Sequence, residues 1–298
     1  TAGYTISQPY SLNHIDTYGS MISNNGLVAV TADPYGAFSA GEVKIFEKDS
    51  SGNWPSTASA TYTGNNAGDY LGRVLGVSDD GTRVAMQSSS KMMVVDKSAT
   101  TTTYTVTVAS VGGLNRYHID GVDRAPLTLY RGNTYIFDLS HSSNSKPHPL
   151  GFSPTTTGVV DNYSTNLPGT TGSQVTFTVP ANAPSSMTYV CQVHAYMGST
   201  ITVSDRVWTQ IGSDITASFN AITGSCMSGD GTKVFGTNGS DVYSWEYSSG
   251  SWSQYRNAIS PGSYSSIGRI SHSTNGEILG FEDINYGEVL IFSTTSSS

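Results

Sequence analysis

Four Asx-Gly dipeptides, each between apolar runs, constrain the fold of this chain more than any other feature of its 298 residues. They are Asn25-Gly26, Asp80-Gly81, Asp230-Gly231 and Asn275-Gly276. Such a dipeptide between alternating apolar segments is the strongest short-range signal for a β-hairpin, because the tight turn needs residues that tolerate positive φ. The chain is therefore predicted to be all-β.

The segments that follow these turns form a repeat. One apolar strand follows each turn directly, at residues 27–30, 83–86, 233–236 and 277–280. A second apolar strand comes after it, at residues 42–46, 92–95, 241–245 and 288–292. Repetition of this kind indicates that one hairpin unit is used four times.

The spacing of the turns locates an insertion. Successive glycines of the four turns are 55, 150 and 45 residues apart. Removing a domain of about 105 residues from the long interval would leave about 45, the length of a repeat with about four short strands. We therefore predict a repeat region at residues 1–98, an inserted domain at 99–205 and a second repeat region at 206–298.

A period of this length predicts a small, about four-bladed β-propeller. The last repeat lacks a fourth strand, and residues 4–10 are predicted to supply it by pairing near residues 288–292. Residues 68–72, 78–85 and 208–215 resemble FG-GAP-like propeller repeats, without the Asp-dense loops that bind calcium in some of them. The alternative is a two-sheet β-sandwich or an irregular β-domain.

One thiol, two imidazoles and one thioether stand out in the inserted segment. Cys191, His194 and Met197 follow one another in a Cys-x-x-His-x-x-Met loop, and His148 lies upstream between two prolines. Cysteine and two histidines form the trigonal ligand set of a mononuclear blue-copper site, in which methionine is a long, weak axial ligand. We therefore predict that these four residues converge on one metal site.

The residues around these ligands, at 127–137, 175–180 and 199–203, resemble strands of the cupredoxin family. The short ligand loop resembles that of the plastocyanin-like and amicyanin-like members. The resemblance covers residues 101–205 and implies a small antiparallel β-sandwich inserted into the propeller, with copper as the cofactor.

One position departs from the family pattern. Pro149 stands where many cupredoxins have a residue whose backbone N–H donates a hydrogen bond to the cysteine sulfur, and proline has no N–H. Hydrogen bonds around the sulfur tune the redox potential of such sites. Three alternatives therefore stay open: a copper site whose redox potential is not finely tuned, a site for another metal, and a site without a metal.

The two cysteines of the chain, Cys191 and Cys226, could form a disulfide. Cys191 fits better as a thiolate ligand, and Cys226 fits a small buried residue in a strand.

Composition and motifs argue against several classes of function. The net charge is −8 with no run of Lys or Arg, so nucleic-acid binding through the phosphates is not expected. No apolar run approaches the ~18 residues of a membrane span. The sequence has no Gly-x-Ser-x-Gly elbow, no phosphate loop and no His-Glu-x-x-His pattern, so no enzyme activity is predicted.

Two functions are expected on these grounds. The first is a non-enzymatic structural or adhesion protein of an extracellular or virion surface, in which the repeat region carries the metal-binding module and other protein subunits are the partners. Only 12% of the residues are charged, and Ser, Thr and Tyr are abundant, which suits such surfaces. The alternative is a type 1 copper electron-transfer protein, with electrons passing through the edge of His194.

Overall fold

The structure, a computed structural model, describes residues 19–49, 51–145, 148–154, 168–216, 227–260, 267–283, 285 and 287–293. The chain divides into two compact units. The inserted unit comprises Ala99–Arg206, one residue longer than the predicted domain. The repeat unit comprises Thr1–Ser98 together with Val207–Ser298.

Nearly all regular structure consists of β-strands. The first part of the repeat unit contains β1 (Met21–Ile22), β2 (Val28–Asp33), β3 (Glu42–Glu47), β4 (Ala60–Thr63), β5 (Val74–Val77), β6 (Arg83–Gln87) and β7 (Lys91–Asp96). The inserted unit contains β8 (Thr101–Val111), β9 (Leu114–Ile119), β10 (Val122–Asp123), β11 (Leu127–Tyr130), β12 (Thr134–Asp138), β13 (Leu150–Pro154), β14 (Gln174–Thr178), β15 (Ser186–Cys191) and β16 (Ser199–Ser204). The second part of the repeat unit contains β17 (Thr209–Gln210), β18 (Ile215–Thr216), β19 (Lys233–Thr237), β20 (Val242–Ser248), β21 (Ser251–Gln254), β22 (Ile267–His272), β23 (Ile278–Asp283) and β24 (Glu288–Ser293).

In the ranges that the structure describes, two short helical segments accompany the strands. One is the single turn Gly36–Ser39, in which Ala37 and Phe38 have positive φ. The other is the 3₁₀ helix Ser142–Asn144, which lies in the inserted unit. No helix in the described part of the chain is long and apolar enough to span a membrane.

The inserted unit is built from two sheets around one core. The first sheet has the order β10-β9-β8-β12-β14 and the second has the order β11-β16-β15-β13. Alternate residues of both sheets point into the shared core, among them Phe137 of the first sheet and Phe152 of the second, whose ring centroids are 5.1 Å apart. This is the facing-sheet arrangement of a β-sandwich, as the resemblance implied for this segment. The sheets are not purely antiparallel as expected, because β8 pairs with β12 and β11 pairs with β16 in parallel.

The described residues of the repeat unit form four separate sheets, one for each predicted repeat. The first sheet is β1-β2-β3-β4, the second is β17-β7-β6-β5 with β18 also on β7, the third is β19-β20-β21 and the fourth is β22-β23-β24. The eight strands predicted next to the four Asx-Gly turns are all present, so the repeat is confirmed. The connection between β7 and β17 contains the inserted unit, because Asp96 pairs with Thr209.

Consecutive sheets of the repeat unit pack face to face. Val30 of the first sheet shares a core with Met86 of the second. Val94 of the second sheet shares a core with Val234 of the third, and further core residues join the third sheet to the fourth. Among the described residues no core cluster joins the fourth sheet to the first, so the closed propeller is not shown. Residues 4–10, predicted to complete the last sheet, lie outside the described residues.

The four hairpin turns share a serine that extends the repeat to Ser-x-Asx-Gly. Each serine hydroxyl donates to the Oδ1 of the Asx two residues later, at 2.7, 2.7, 2.6 and 2.8 Å. The φ angles of the four glycines are 69°, 70°, 69° and 67°. We call these four turns, at residues 23–26, 78–81, 228–231 and 273–276, the turn ladder.

Successive turns of the ladder are hydrogen-bonded to one another. The backbone N–H groups of Asn25, Asp79 and Asp230 each donate to a carbonyl of the next turn, at 3.1, 2.6 and 2.9 Å. The approach is close at the glycines as well. A Cβ built on Gly81 would lie 2.8 Å from Cγ2 of Val28, whereas a Cβ on Gly26, in the first turn, meets no described atom within 4 Å.

The turn ladder predicts a higher cost for alanine at Gly81 than at Gly52, a glycine outside the ladder whose φ is 81° and whose Cβ position meets no described atom within 4 Å. Alanine at either position must adopt positive φ, which costs about 1–2 kcal/mol. At Gly81 the new methyl group also collides with Val28, and overpacking adds about 1–3 kcal/mol. Gly81→Ala should therefore lower the free energy of unfolding of the repeat unit clearly more than Gly52→Ala.

Chemical denaturation followed by tryptophan fluorescence measures this difference. All four tryptophans lie at positions 54, 208, 245 and 252, so the signal reports on the repeat unit alone. Equal destabilisation by the two substitutions would contradict the close packing of consecutive turns.

Candidate metal centre

The register of two strands brings the upstream histidine to the cysteine loop. β13 pairs antiparallel with β15 so that Leu150 lies opposite Cys191. The hydrogen bonding between the two strands continues past their ends, because the N–H of Gln192 donates to the carbonyl of Pro149 at 3.0 Å. His148, directly before Pro149, is thereby placed beside the residue at which the ligand loop begins, although 43 positions separate the two in sequence.

Three of the four predicted ligands converge. His148 Nδ1 lies 3.9 Å from Cys191 Sγ, and His194 Nδ1 lies 3.6 Å from the same sulfur. The two Nδ1 atoms are 3.1 Å apart. His148 and Cys191 are buried, and His194 is exposed. In the described part of the chain this is the one group of three or more His, Cys, Asp and Glu side chains that could hold a metal ion, and its ligand atoms all lie within 4.8 Å of one another.

These separations suit a single metal ion. Bonds of about 2.0–2.3 Å at angles of about 110–120° place ligand atoms about 3.3–3.8 Å apart. The observed 3.1, 3.6 and 3.9 Å are close to these values. A thiolate with two imidazoles is also the donor set that copper and zinc prefer over the hard cations, which take oxygen ligands. The residues present therefore fit a copper ion without a change of backbone register.

The fourth predicted ligand, Met197, lies beside this group. Its side chain is buried in the same core as Cys191. Both residues and His194 line a cavity of about 320 Å³ under the ligand loop. Met197 thus shares the core and the cavity of Cys191, and its role as the fourth ligand stays a prediction.

The ligand loop is tightly closed. A Cβ on Gly198 would lie 1.7 Å from the carbonyl oxygen of Tyr189, so only glycine lets the chain turn back at this point. Tyr196 holds a φ of 66°, a left-handed conformation that costs a non-glycine residue energy. Arg124 Nε donates to the carbonyl of Gly198 at 2.8 Å and ties the end of the loop to β10 and its following turn. The N–H of His194 donates to Cys191 Sγ at 3.4 Å within the loop.

Two residues that sequence reasoning did not select contact His148. Asn115 Nδ2 lies 3.4 Å from His148 Nε2, on the side of the ring away from the sulfur. The Tyr117 hydroxyl donates to the backbone carbonyl of His148 at 2.8 Å. Both residues lie on β9, where an Asn and a Tyr in an ordinary strand pattern give no signal of a role at a metal centre.

Two buried tyrosines pack around the centre. Burial is the main cause that raises the pKa of Tyr117 far above its usual value, and the nearby Cys191 side chain raises it further. Burial likewise raises the pKa of Tyr189 to about 12. Both phenols are therefore neutral hydrogen-bond donors at any physiological pH.

The remaining histidines are not part of this centre. His118, His141 and His272 do not join the group of converging ligands, and His14 lies outside the described residues. Burial lowers the pKa of His272, which stacks on Phe235 and is thereby a packing residue of the repeat unit. Cys226 also lies outside the described residues, while Cys191 is a free cysteine.

Comparison with known proteins gives structural neighbours only. No protein-family model matches the chain, and no curated protein matches it. The rusticyanin of Thiobacillus ferrooxidans is 19% identical over 36% of this chain and 79% of its own, with a TM-score of 0.25. Another rusticyanin structure, described as a copper protein, is 16% identical over 36% of this chain and 80% of its own, with a TM-score of 0.25.

A third neighbour overlaps the repeat unit as well. It is a protein of Bacteroides uniformis whose name assigns it provisionally as a 6-phosphogluconolactonase; it is 13% identical over 90% of this chain and 64% of its own, with a TM-score of 0.31. The rusticyanins are cupredoxins and match about a third of this chain. Identities and TM-scores this low carry no function across, so the case for a metal centre rests on the chain's own ligand geometry.

Proposed function

We propose that the inserted unit is a type 1 copper-binding module. The observation that carries this proposal is the convergence of His148, Cys191 and His194 within 4.8 Å, beside buried Met197. The set is held before any ion binds, because strand register fixes His148 and the closed loop fixes the other residues. Such preorganisation favours binding, since little chain entropy is lost when the ion arrives.

The same geometry supports a role as a one-electron carrier. Bound copper would supply a one-electron redox couple at this position. His148 and Cys191 keep water away from the buried side of the centre, while the exposed imidazole of His194 offers a short route to the surface. Val193 and Tyr196 beside it are exposed as well, which gives a partner an apolar surface to pack on.

A structural role on an extracellular or virion surface is the second candidate. Pro149 supports it, because the missing N–H removes one means of tuning a redox centre. The repeat unit supports it too, since a stack of small sheets is a suitable scaffold for presenting a module to other protein subunits. In that case the metal would only brace the ligand loop.

Copper binding is tested by the colour of the loaded protein. Wild-type protein with one equivalent of Cu(II) should show an intense visible band, because thiolate–copper bonding dominates such a site. Cys191→Ser should abolish the band. Met197→Leu should keep the metal and shift the band, since the axial thioether is a weak ligand.

Cys226→Ser is the matched control, because it removes the other thiol of the chain and should leave the band unchanged. A wild-type protein that takes up stoichiometric copper and stays colourless would contradict the electron-carrier role and leave the bracing role. Failure to retain any copper at all would contradict both.

For the repeat unit we propose a propeller-like ring closed by the ends of the turn ladder. Successive turns contact one another in the same way. The side chain two positions after the glycine of one turn lies against the glycine of the following turn. Val28 lies against Gly81 in this way, and Arg83 lies against Gly231. The same relation between the last and first turns would place Ile278 on Gly26. Ile278 is 52% exposed, although the equivalent Val28 is buried. Closure would cover this apolar side chain.

A pair of cysteines tests the ring. In the turn ladder, the Cβ of the serine in one turn lies 3.1–3.2 Å from the position that a Cβ would take on the glycine of the following turn. This is close to the ~3.5–4.5 Å of a disulfide. Ser273→Cys with Gly26→Cys, in a chain lacking Cys191 and Cys226, should therefore form an intramolecular disulfide under mild oxidation.

Ser78→Cys with Gly231→Cys is the positive control, because these two turns are neighbours in the structure. If the control pair cross-links and the terminal pair does not, the ring is open. If the terminal pair cross-links only between two molecules, the ladder is completed by a second copy and the four-bladed ring is wrong.

A further inference from the structure

The third repeat differs from the other repeats at one core position. This position pairs with the residue four places after the turn glycine, and in chain order it is occupied by Ile45, Val94, Ser244 and Ile291. Ile45 and Val94 are buried apolar side chains in the cores between successive sheets. Ser244 is buried as well, with 6% exposed, but it brings a hydroxyl and less volume. The contact between the third and fourth sheets therefore lacks a large apolar side chain at this position.

A cavity of about 510 Å³ lies beside this serine. Its lining residues are Ser244, Arg256, Asn257, Ile259 and Ser293. Ser244 is on β20 and Ser293 ends β24, so the cavity lies between the third and fourth sheets. Ile259 is fixed by two backbone hydrogen bonds with Val242, at 2.9 and 3.0 Å. An apolar wall with a few polar groups is the usual composition of a small-molecule pocket.

Arg256 brings a cation into this cavity without an anionic partner. Its Nε is shielded from solvent and has no hydrogen-bond partner. Its Nη2 reaches the Tyr255 hydroxyl at 3.5 Å, and its Cζ lies 5.0 Å from the centroid of the Tyr255 ring. The ion pairs of the described residues do not include Arg256. Buried donors are almost always hydrogen-bonded, so a shielded Nε of this kind calls for an explanation.

The charged groups nearest in sequence and in the sheet are paired with other residues. Lys233 lies over the same tyrosine ring and is 3.6 Å from Glu246. Asp241 accepts hydrogen bonds from Asn238 and Ser260. The positive charge of the guanidinium is thus left to a ligand. Its planar fork matches a carboxylate through two parallel hydrogen bonds, and one carboxylate carries the single negative charge that balances it.

We propose that the cavity between the third and fourth sheets binds a small molecule with one carboxylate group, which the guanidinium of Arg256 holds. The Ser244 hydroxyl and the Asn257 amide hydrogen-bond to the remaining polar groups of this ligand, and Ile259 packs against its apolar part. The site belongs to the repeat unit and does not depend on the copper centre.

Titration of the full chain with acetate, benzoate and D-glucuronate tests the proposal by calorimetry. At least one of these carboxylates should bind saturably and raise the melting temperature, because a ligand that binds only the folded state stabilises it. D-Glucose is the matched neutral probe, since it differs from glucuronate in lacking the carboxylate, and it should give no signal. The proposal is overturned if none of the three carboxylates binds, or if inorganic phosphate binds more tightly than all of them.

Arg256→Gln should weaken binding of the carboxylate by about tenfold or more, because it removes charged hydrogen bonds. Arg73→Gln is the matched control. The Cζ of Arg73 also lies over a tyrosine ring, 4.9 Å from the centroid of Tyr70, and its Nε is likewise shielded and unpartnered. Arg73 is not in the lining of the cavity, so its substitution should leave the affinity unchanged. Equal losses from both substitutions would reveal a general effect of net charge and would overturn the proposal.

Ser244→Val provides a second test that is independent of Arg256. It gives the third sheet the residue that the second sheet has at Val94, so the fold should be retained. The added methyl groups narrow the cavity and the hydroxyl is lost, so carboxylate affinity should fall while the melting temperature without ligand does not. An unchanged affinity in Ser244→Val would place the ligand elsewhere and overturn the proposal, even if Arg256→Gln fails to fold.

Discussion

The antiparallel pairing of β13 with β15 is the constraint on which the metal centre depends. Because Leu150 lies opposite Cys191, His148 is carried to the start of the ligand loop, where its Nδ1 is 3.9 Å from the sulfur. A slip of one residue would turn every side chain of β13 to the other face and move His148 away. Phe152, buried on the same strand, holds the register because it must stay in the core.

The repeat unit tolerates the insertion because of where the insertion enters. Residues 97–208 lie between β7 and β17. The end of β7 at Asp96 pairs with the start of β17 at Thr209, so the two strands stay hydrogen-bonded where the insertion enters. The contacts between sheets come from the turn ladder and from the faces of the strands, neither of which is interrupted. Exposed loop tips accept whole domains for this reason.

Sequence patterns predicted the strands well because each depends on local chemistry. The eight strands after the Asx-Gly turns and the three segments of the inserted unit lie where expected, since hairpin turns and apolar alternation are readable over a few residues. The ligand set could be predicted because Cys, His and Met are uncommon and their spacing is specific.

The contact of Tyr117 with His148 could not be predicted, since the sequence does not show which group the hydroxyl of a buried strand tyrosine contacts. The serines of the turn ladder could have been recognised in the sequence, because each stands two residues before the Asx of its turn. The contacts between turns could not be predicted from the sequence, because they join residues 54, 150 and 44 positions apart.

X-ray absorption at the copper edge of the loaded protein tests the central claim most directly. The account predicts a single copper with one short sulfur scatterer from Cys191 and two imidazole scatterers from His148 and His194. A first shell of nitrogen and oxygen atoms alone, with no sulfur, would show that copper binds elsewhere and would contradict the proposed centre.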